Sequence, residues 1–277
     1  MENRVVMAAI VTFNPQIERL KENIEAVRDQ VELLLVFDNG SKNVEEIEKN
    51  IGASGILLIK NKKNLGIAGA LKAILEYAAE HQIPWVLSLD QDSVVFSDLV
   101  LNYRKYMDLP GAGMLTCHIQ DRNFKSQSVL QDTVQECKTC ITSGSIISVD
   151  AYTHTSGYDE YMFIDGVDFD ICFSLAEKNY KIYRIPYIGL LHEVGHGKNV
   201  KFMGRKWIVY HEPAWRQYYI GRNWIYLNKK HRRLFPRETM VKQIIKDIVV
   251  IIGYENNRAD KLKNYIKGLK DGLAITM

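Results

Sequence analysis

Apolar residues run almost unbroken from Val5 to Thr12, again from Leu33 to Phe37, and again from Trp85 to Leu89. Short runs of this kind, bounded by polar turns, predict strands buried on both faces of a sheet. Gly55 to Lys60 predicts one more. Between them the period changes. Ile17, Leu20, Ile24 and Val27 recur at helical spacing, so a helix is expected after Asn14-Pro15, read as N-cap and first helical residue. Val44 to Asn50 and the alanine-rich Ile67 to Glu80 predict two more helices, and Ser97 is expected to cap another through about Met107. Alternating strand and helix predicts an α/β fold, with an open, mostly parallel sheet and helices on both faces.

The second half reads differently. Gly113 to His118 and Cys140 to Val149 predict strands, Asp168 to Lys178 a helix, and Tyr180 to Pro186 an extended segment. From Pro213 onward the pattern is helical and aromatic, and Arg237 to Ile252 carries Met240, Ile244, Ile248 and Ile251 with lysines between them. No internal repeat or low-complexity linker is visible. A soft boundary near Pro236 separates residues 1–235 from a C-terminal helical extension, 236–277.

Composition narrows the class without naming it. A chain of 277 residues with 47% hydrophobic and 25% charged residues can bury a sizeable core. Its net charge of +3 points neither to nor away from nucleic acid, and no nucleic-acid partner is expected. No stretch reaches transmembrane length, Met1 to Val5 lacks a signal-peptide pattern, and four cysteines suggest no disulfide framework. A reducing cytoplasm is expected. Cys137 and Cys140 form one C-x-x-C with no second pair at zinc-finger spacing, so they are read as thiols. Charge is uneven: Lys229-Lys230-His231-Arg232-Arg233 and later lysines make the C-terminal end basic. With the amphipathic helix that follows, this end suits either an anionic membrane surface or packing onto the domain.

Ligands of open α/β sheets sit at the carboxyl ends of strands. Three polar clusters fall there: Thr12-Phe13-Asn14, Asp38-Asn39-Gly40 and Asp90-Gln91-Asp92. In extended chain, side chains two apart point the same way, so Asp90 and Asp92 are expected to converge on Mg²⁺ or Mn²⁺ and leave positions for substrate phosphates. The plain alternative is an Asx-type turn closing the strand. Asp38 is placed to accept the ring N–H of uracil or thymine, or is simply a turn residue before Asn39-Gly40. Asn64-Leu65-Gly66 opens a helix whose free N–H groups suit a ligand, or a close helix–sheet contact. It matches neither a Walker loop nor G-x-G-x-x-G. His192-Glu193-Val194-Gly195-His196 reads as H-E-x-x-H, a zinc-protease signature that requires a helix, and the flanking Pro186, Gly189 and Gly197 support one weakly.

Taken in order, Val11-Thr12-Phe13-Asn14-Pro15, Val36-Phe37-Asp38-Asn39-Gly40-Ser41, Asn64-Leu65-Gly66 and Asp90-Gln91-Asp92 resemble the successive motifs of family 2 inverting glycosyltransferases. Within that family the chain is most similar to bacterial rhamnosyltransferases, over about residues 5–225. The resemblance implies a GT-A fold with a nucleotide-sugar half, 1–110, and an acceptor half, 111–235. It implies a dTDP- or UDP-linked donor and a divalent metal, Mn or Mg. It assigns Asp38 to the pyrimidine, Thr12, Phe13 and Asn14 to the nucleotide pocket, Asp90 to the ribose and donor sugar, and Asp92 to the metal. Asn39, Asn64, Gly66 and Gln91 fall in the same donor motifs. Thr142-Ser143-Gly144-Ser145 resembles the acceptor-side loop. Tyr161 to Asp170 resembles the segment with the catalytic base, where many relatives carry Glu-Asp in place of Val167-Asp168. Asp168 is then the base, with Asp165 as fallback.

The same resemblance makes His192 a second metal or diphosphate contact. Tyr218-Tyr219-Ile220-Gly221-Arg222-Asn223 likewise resembles a family segment in which Arg222 clamps phosphate; Trp207, Trp215 and Trp224 are packing residues or sugar platforms. The implied activity is metal-dependent inverting transfer, first of L-rhamnose from dTDP-L-rhamnose and otherwise of a hexose from a UDP-sugar. The acceptor is a glycan or lipid-linked oligosaccharide of bacterial surface polysaccharide. Peripheral contact with the inner face of the cell membrane and a homodimer are left open. The rivals are a zinc metallohydrolase built on His192, Glu193 and His196, a nucleotidyltransferase (whose Gly-rich basic loop is missing here), and a non-catalytic glycan- or nucleotide-binding partner of a synthase complex.

Overall fold

The computed structural model describes residues 4–51, 55–121, 132–192, 198–202 and 205–276. The chain divides into two compact units, Met1–Glu160 with Ile171–Glu193, and Tyr161–Asp170 with Val194–Met277.

The first unit opens as the apolar pattern predicts: β1 (Val6–Thr12), α1 (Ile17–Arg28), β2 (Leu33–Asp38), α2 (Val44–Ile51), β3 (Leu57–Lys60), α3 (Gly66–Glu80) and β4 (Trp85–Asp90). These four strands are parallel, in the order β3-β2-β1-β4. Every residue of β1 is buried. Val6, Ala8 and Ile10 join Leu20, Ile24 and Val27 of α1 and Ile47 and Ile51 of α2 in one core. Strand side chains alternate between faces, so Met7, Ala9 and Val11 turn to the other face, and α3 touches β1 and buries Ala68, Leu71, Ile74 and Leu75. Cover on both faces explains the unbroken apolar run.

Beyond β4 come β5 (Val94–Val95), α4 (Leu99–Arg104), β6 (Ala112–Asp121), β7 (Gln135–Cys137), β8 (Ile146–Ser148), α5 (Val149–Thr153), α6 (Val167–Glu177) and β9 (Lys181–His192). β8 pairs antiparallel with β4 and with β6, β6 runs parallel to β9, and β5 and β7 pair antiparallel with β9. The sheet is thus mostly parallel on the β1 side and mixed beyond β4.

Three local expectations fail. Asn14 does not cap α1: it has φ 50°, its side chain accepts from Lys42 N–H, and Gln16 holds the cap position. Ser97 does not cap α4; Asp98 precedes the helix, which stops at Arg104. The strand expected over Cys140–Val149 shrinks to β8, because Gly144 at φ 76° closes a turn in which Ser145 N–H donates to Thr142 O at 3.0 Å. A Cβ on Gly144 would sit 2.7 Å from Leu190 Cδ2, so glycine is required there.

The second unit holds a hairpin of β10 (Lys198–Phe202) and β11 (Arg205–Val209), then α7 (Ala214–Lys230), α8 (Arg237–Tyr254) and α9 (Arg258–Ala274). Pro236 lies within it, between α7 and α8. α9 crosses α7 at backbone contact: a Cβ on Gly268 would lie 2.0 Å from Tyr218 O, and one on Gly272 2.8 Å from Arg222 O. Asp247 of α8 accepts from Trp224 Nε1 at 2.7 Å and Tyr265 Oη at 3.0 Å, tying the three helices together. Burial pushes its carboxyl up while these donors pull it down. Val241, Ile245 and Ile252 stay exposed on α8. Among the described residues no helix is long and apolar enough to cross a membrane.

Candidate functional site

Register fixes the first cluster. Thr12 pairs with Asp38 across β1 and β2, and Val11 pairs with Asp90 across β1 and β4. Parallel strands in this alignment bring the carboxyl ends of β2, β1 and β4 to one edge, where such sheets bind ligands. Thr12 is fully buried, and its Oγ1 lies 3.3 Å from Asp38 Oδ1. Asp38 Oδ2 accepts Ser41 N–H at 3.1 Å, so the carboxylate closes the turn. Asp38 is itself buried, at 1% exposure. Phe13, next in line, is 44% exposed.

Asn39 is the frame of this edge. Its Nδ2 donates to Asn64 Oδ1 at 3.1 Å and to Gly66 O at 3.0 Å, and its Oδ1 accepts Leu65 N–H at 3.0 Å. Asn64 Oδ1 also accepts Gly66 N–H at 2.7 Å. Two of the N–H groups expected to face a ligand at the start of α3 are therefore taken within the turn. Gly40, at φ 85°, lies so close to Lys63 that a Cβ would come within 2.8 Å of its backbone carbon. Gly40 thus serves the close approach of the two turns.

The acidic pair does not lie on one extended strand, as its spacing suggests. β4 ends at Asp90; Gln91 and Asp92 form a turn closed by Ser93 N–H on Asp90 O at 3.1 Å. Strand alternation does not apply beyond Asp90. The turn is fixed from three sides. Asn23 Nδ2 donates to Asp90 O at 2.7 Å, Asp90 N–H donates to Ser143 Oγ at 3.0 Å, and Gln91 Oε1 accepts Phe13 N–H at 2.8 Å. Both carboxylates are half-buried. Among the described residues no hydrogen bond or ion pair engages the Asp92 carboxylate. Ser143, Gly144 and Ser145 are buried; Ser145 Oγ donates to Ile141 O at 2.6 Å and shares a hydrogen bond with Thr116 Oγ1 at 2.9 Å. This loop supports the Asp90 turn from within.

His192 closes β9, so H-E-x-x-H does not begin on the helix that a zinc protease needs. Residues 193–197, with Glu193 and His196, and the side chains of His192 and Trp207 lie outside the described residues. Among the described residues no group of three His, Cys, Asp or Glu side chains forms a metal cage. All four cysteines are free; burial pushes the Cys117 and Cys137 thiols up to about 11, which makes them poor nucleophiles.

The second unit separates the three acids of the segment 165–170. Asp165 is gripped by Arg216, whose Nε lies 2.9 Å from Oδ2 and whose second nitrogen lies 2.9 Å from Oδ1. Burial raises the Asp165 carboxyl above its ordinary range against the pull of this guanidinium. Asp170, fully buried, pairs with Lys230 at 2.8 Å and His231 at 2.9 Å. Asp168 stands between them on the first turn of α6, half-buried.

The loop before α6 is held in an unusual shape. Phe163 and Asp165 have φ 61° and 65°, values uncommon for residues with side chains, and Gly166 has φ 78°. Four carbonyls of residues 161–165 are bonded by side chains of α7. Asn223 Nδ2 donates to Met162 O, Ile164 O and Asp165 O at 3.0, 2.8 and 2.7 Å, and Arg222 donates to Tyr161 O and Met162 O. Arg222 is only 6% exposed and its guanidinium also stacks on Tyr161 and Tyr219. A phosphate clamp needs an accessible fork, and this one is spent on the loop. Residue type and spacing assign Asn223, Arg216 and Asn23 no role of their own. Asn23 had a signal: it falls on the apolar face of α1, between Leu20 and Ile24, where an uncharged amide has to satisfy something inside.

Residues 8–163 match the model of glycosyl transferase family 2. The chain belongs to that family. It is a glycosyltransferase and resembles rhamnosyltransferases: it is 25% identical to the Shigella flexneri dTDP-rhamnosyl transferase RfbF, over 98% of this chain and 96% of the relative. Among solved structures it is similar to S. aureus TarS 1-349 in complex with UDP-GlcNAc, at TM-score 0.64 and 13% identity, covering 97% of this chain and 80% of that one. It is also similar to GalNAc-T7 with UDP, GalNAc and Mn2+, at TM-score 0.56 and 11% identity, covering 88% of this chain and 57% of that one. The fold is GT-A, with C-terminal helices.

Proposed function

We propose that the chain transfers a sugar from a dTDP- or UDP-linked donor to a glycan hydroxyl, with inversion and with a divalent cation, in bacterial surface-polysaccharide assembly. L-rhamnose is the first choice of sugar, because the relative that matches nearly the whole chain is a dTDP-rhamnosyl transferase. UDP-sugars are the second choice, because TarS binds UDP-GlcNAc. The observation that carries the reading is the shared edge of β2, β1 and β4, which collects Thr12, Asp38 and Asp90 with Asp92 on the turn beyond. A pyrimidine ring N–H has an acceptor in Asp38, and Phe13 offers an exposed ring beside it.

Asp90 and Asp92 are hard oxygen ligands on one turn, and Asp92 has no competing partner among the described residues. That donor set fits Mg²⁺ or Mn²⁺ completed by substrate phosphate and water. When bound, the cation neutralises the departing diphosphate. Asn23, Ser143 and Gln91 hold the turn that carries the two carboxylates. Asp168 takes the proton of the acceptor hydroxyl; Asp165 spends both oxygens on the Arg216 fork, and Asp170 is fully buried against Lys230 and His231, so neither is offered to a substrate hydroxyl. Peripheral membrane contact fits α8, whose exposed Val241, Ile245 and Ile252 adjoin exposed Lys242 and Lys246. Calorimetric titration with dTDP, UDP, GDP and ADP, each with Mn²⁺ and with EDTA, tests the donor assignment. Binding of dTDP or UDP that requires Mn²⁺ is expected; preference for a purine nucleotide sinks it.

A further inference from the structure

Phe13 is where the Asp38 turn and the acidic turn are tied to one segment of chain. Before it, Thr12 meets the Asp38 turn twice: its Oγ1 lies 3.3 Å from Asp38 Oδ1, and its carbonyl accepts Asn39 N–H at 2.8 Å. After it, Asn14 N–H donates to Ser41 Oγ at 2.8 Å and Asn14 Oδ1 accepts Lys42 N–H at 2.8 Å. Segment 12–14 is thus fastened to that turn. Phe13 N–H bonds the other way, to Gln91 Oε1 at 2.8 Å. Gln91 stands between Asp90 and Asp92. One amide, Thr12 C=O with Phe13 N–H, is therefore bonded at its oxygen to the Asp38 turn and at its nitrogen to the acidic turn. A peptide group is planar and stiff, and hydrogen bonds at its two ends polarise one another.

The Gln91 bond is exposed, where water can serve Phe13 N–H as well, so it contributes little to stability. Its chemistry suits a different task. A neutral amide accepts the N–H without adding a third negative charge between two carboxylates. We infer that Gln91 is a positioning residue that couples two ligands: through the Thr12–Phe13 amide it links a pyrimidine held at Asp38 and the Phe13 ring to a divalent cation held by Asp90 and Asp92. Coupling of this kind is reciprocal, so each ligand tightens the other by the same factor. Phosphates that touch the cation couple nucleotide and metal without Gln91. The distinctive consequence lies with nucleosides, which carry none. The inference rests on the proposed pyrimidine donor and cation, and adds to them how the two are linked.

Electron paramagnetic resonance of free Mn²⁺, titrated with the full chain, gives the Kd of the cation with and without saturating thymidine or uridine. In wild type at least one nucleoside is expected to tighten Mn²⁺ about fivefold, and in Gln91→Met, which is close in size and has no acceptor, that factor is expected to fall to about one. Gln91→Glu keeps an acceptor and is expected to keep the factor; Gln91→Ala is a second variant without one. dTDP is expected to tighten Mn²⁺ in wild type and all three variants. If it fails to do so in wild type, the donor reading falls and the inference with it. If dTDP tightens Mn²⁺ but neither nucleoside does, or if Gln91→Met and Gln91→Ala keep the nucleoside factor, the inference alone is overturned.

Discussion

Asp168→Asn is expected to bind donor nucleotide as wild type does and to transfer sugar about 10²- to 10⁴-fold more slowly, the usual worth of a positioned general base. Asp168 holds the position that the family resemblance gives to the base. Asp170 is fully buried between Lys230 and His231, out of reach of a substrate hydroxyl. Asp165 is reachable but spends both oxygens on the Arg216 fork. Asp168 is half-buried at the start of α6, and the amide replaces its charge at almost unchanged volume. Single-turnover transfer, measured beside nucleotide binding, separates the two effects. Near-normal turnover in Asp168→Asn moves the base to Asp165. Asp165→Asn has a different signature: it leaves Arg216 with Glu212 alone and lowers thermal stability, by about 1–3 kcal/mol.

Asp92→Asn is expected to leave stability within about 0.5 kcal/mol and to weaken Mn²⁺-dependent dTDP binding by at least about 10- to 100-fold. The first expectation follows from the absence of any partner for Asp92 among the described residues. The second follows from charge: removing one of two carboxylates from a hard-cation site halves its formal charge and replaces a strong oxygen donor by a neutral one. Without Mn²⁺, the variant and wild type are expected to bind dTDP equally weakly. Equal loss with and without metal would instead make Asp92 a direct nucleotide contact, and calorimetry distinguishes the two.

The strands, helices and edge clusters were legible because they rest on short-range rules. Buried strands read as apolar runs, α1 as a 3-4 spacing, and the ligand edge follows from parallel topology alone. What was illegible depended on partners distant in sequence. Arg222 looks like a free cation beside two tyrosines, yet it donates to carbonyls about sixty residues earlier. Ser143 and Ser145 look like an acceptor loop, yet their hydroxyls face inward toward the Asp90 turn and Thr116. Asp90-Gln91-Asp92 reads as strand, but a turn bond from Ser93 bends it. The first two are polar side chains whose hydrogen bonds are satisfied inside the protein, and the third is a backbone turn; residue type and spacing disclose neither.

The account stands most directly on the chemistry of transfer itself. Proton NMR of the chain incubated with dTDP-L-rhamnose, Mn²⁺ and an acceptor glycoside, with UDP-glucose and UDP-N-acetylglucosamine run in parallel, reads donor, product and anomeric configuration in one sample. The account predicts consumption of one pyrimidine-linked donor, abolished by EDTA, with inversion at the anomeric carbon. Consumption of a donor with retained configuration, or activity unaffected by EDTA, would contradict it.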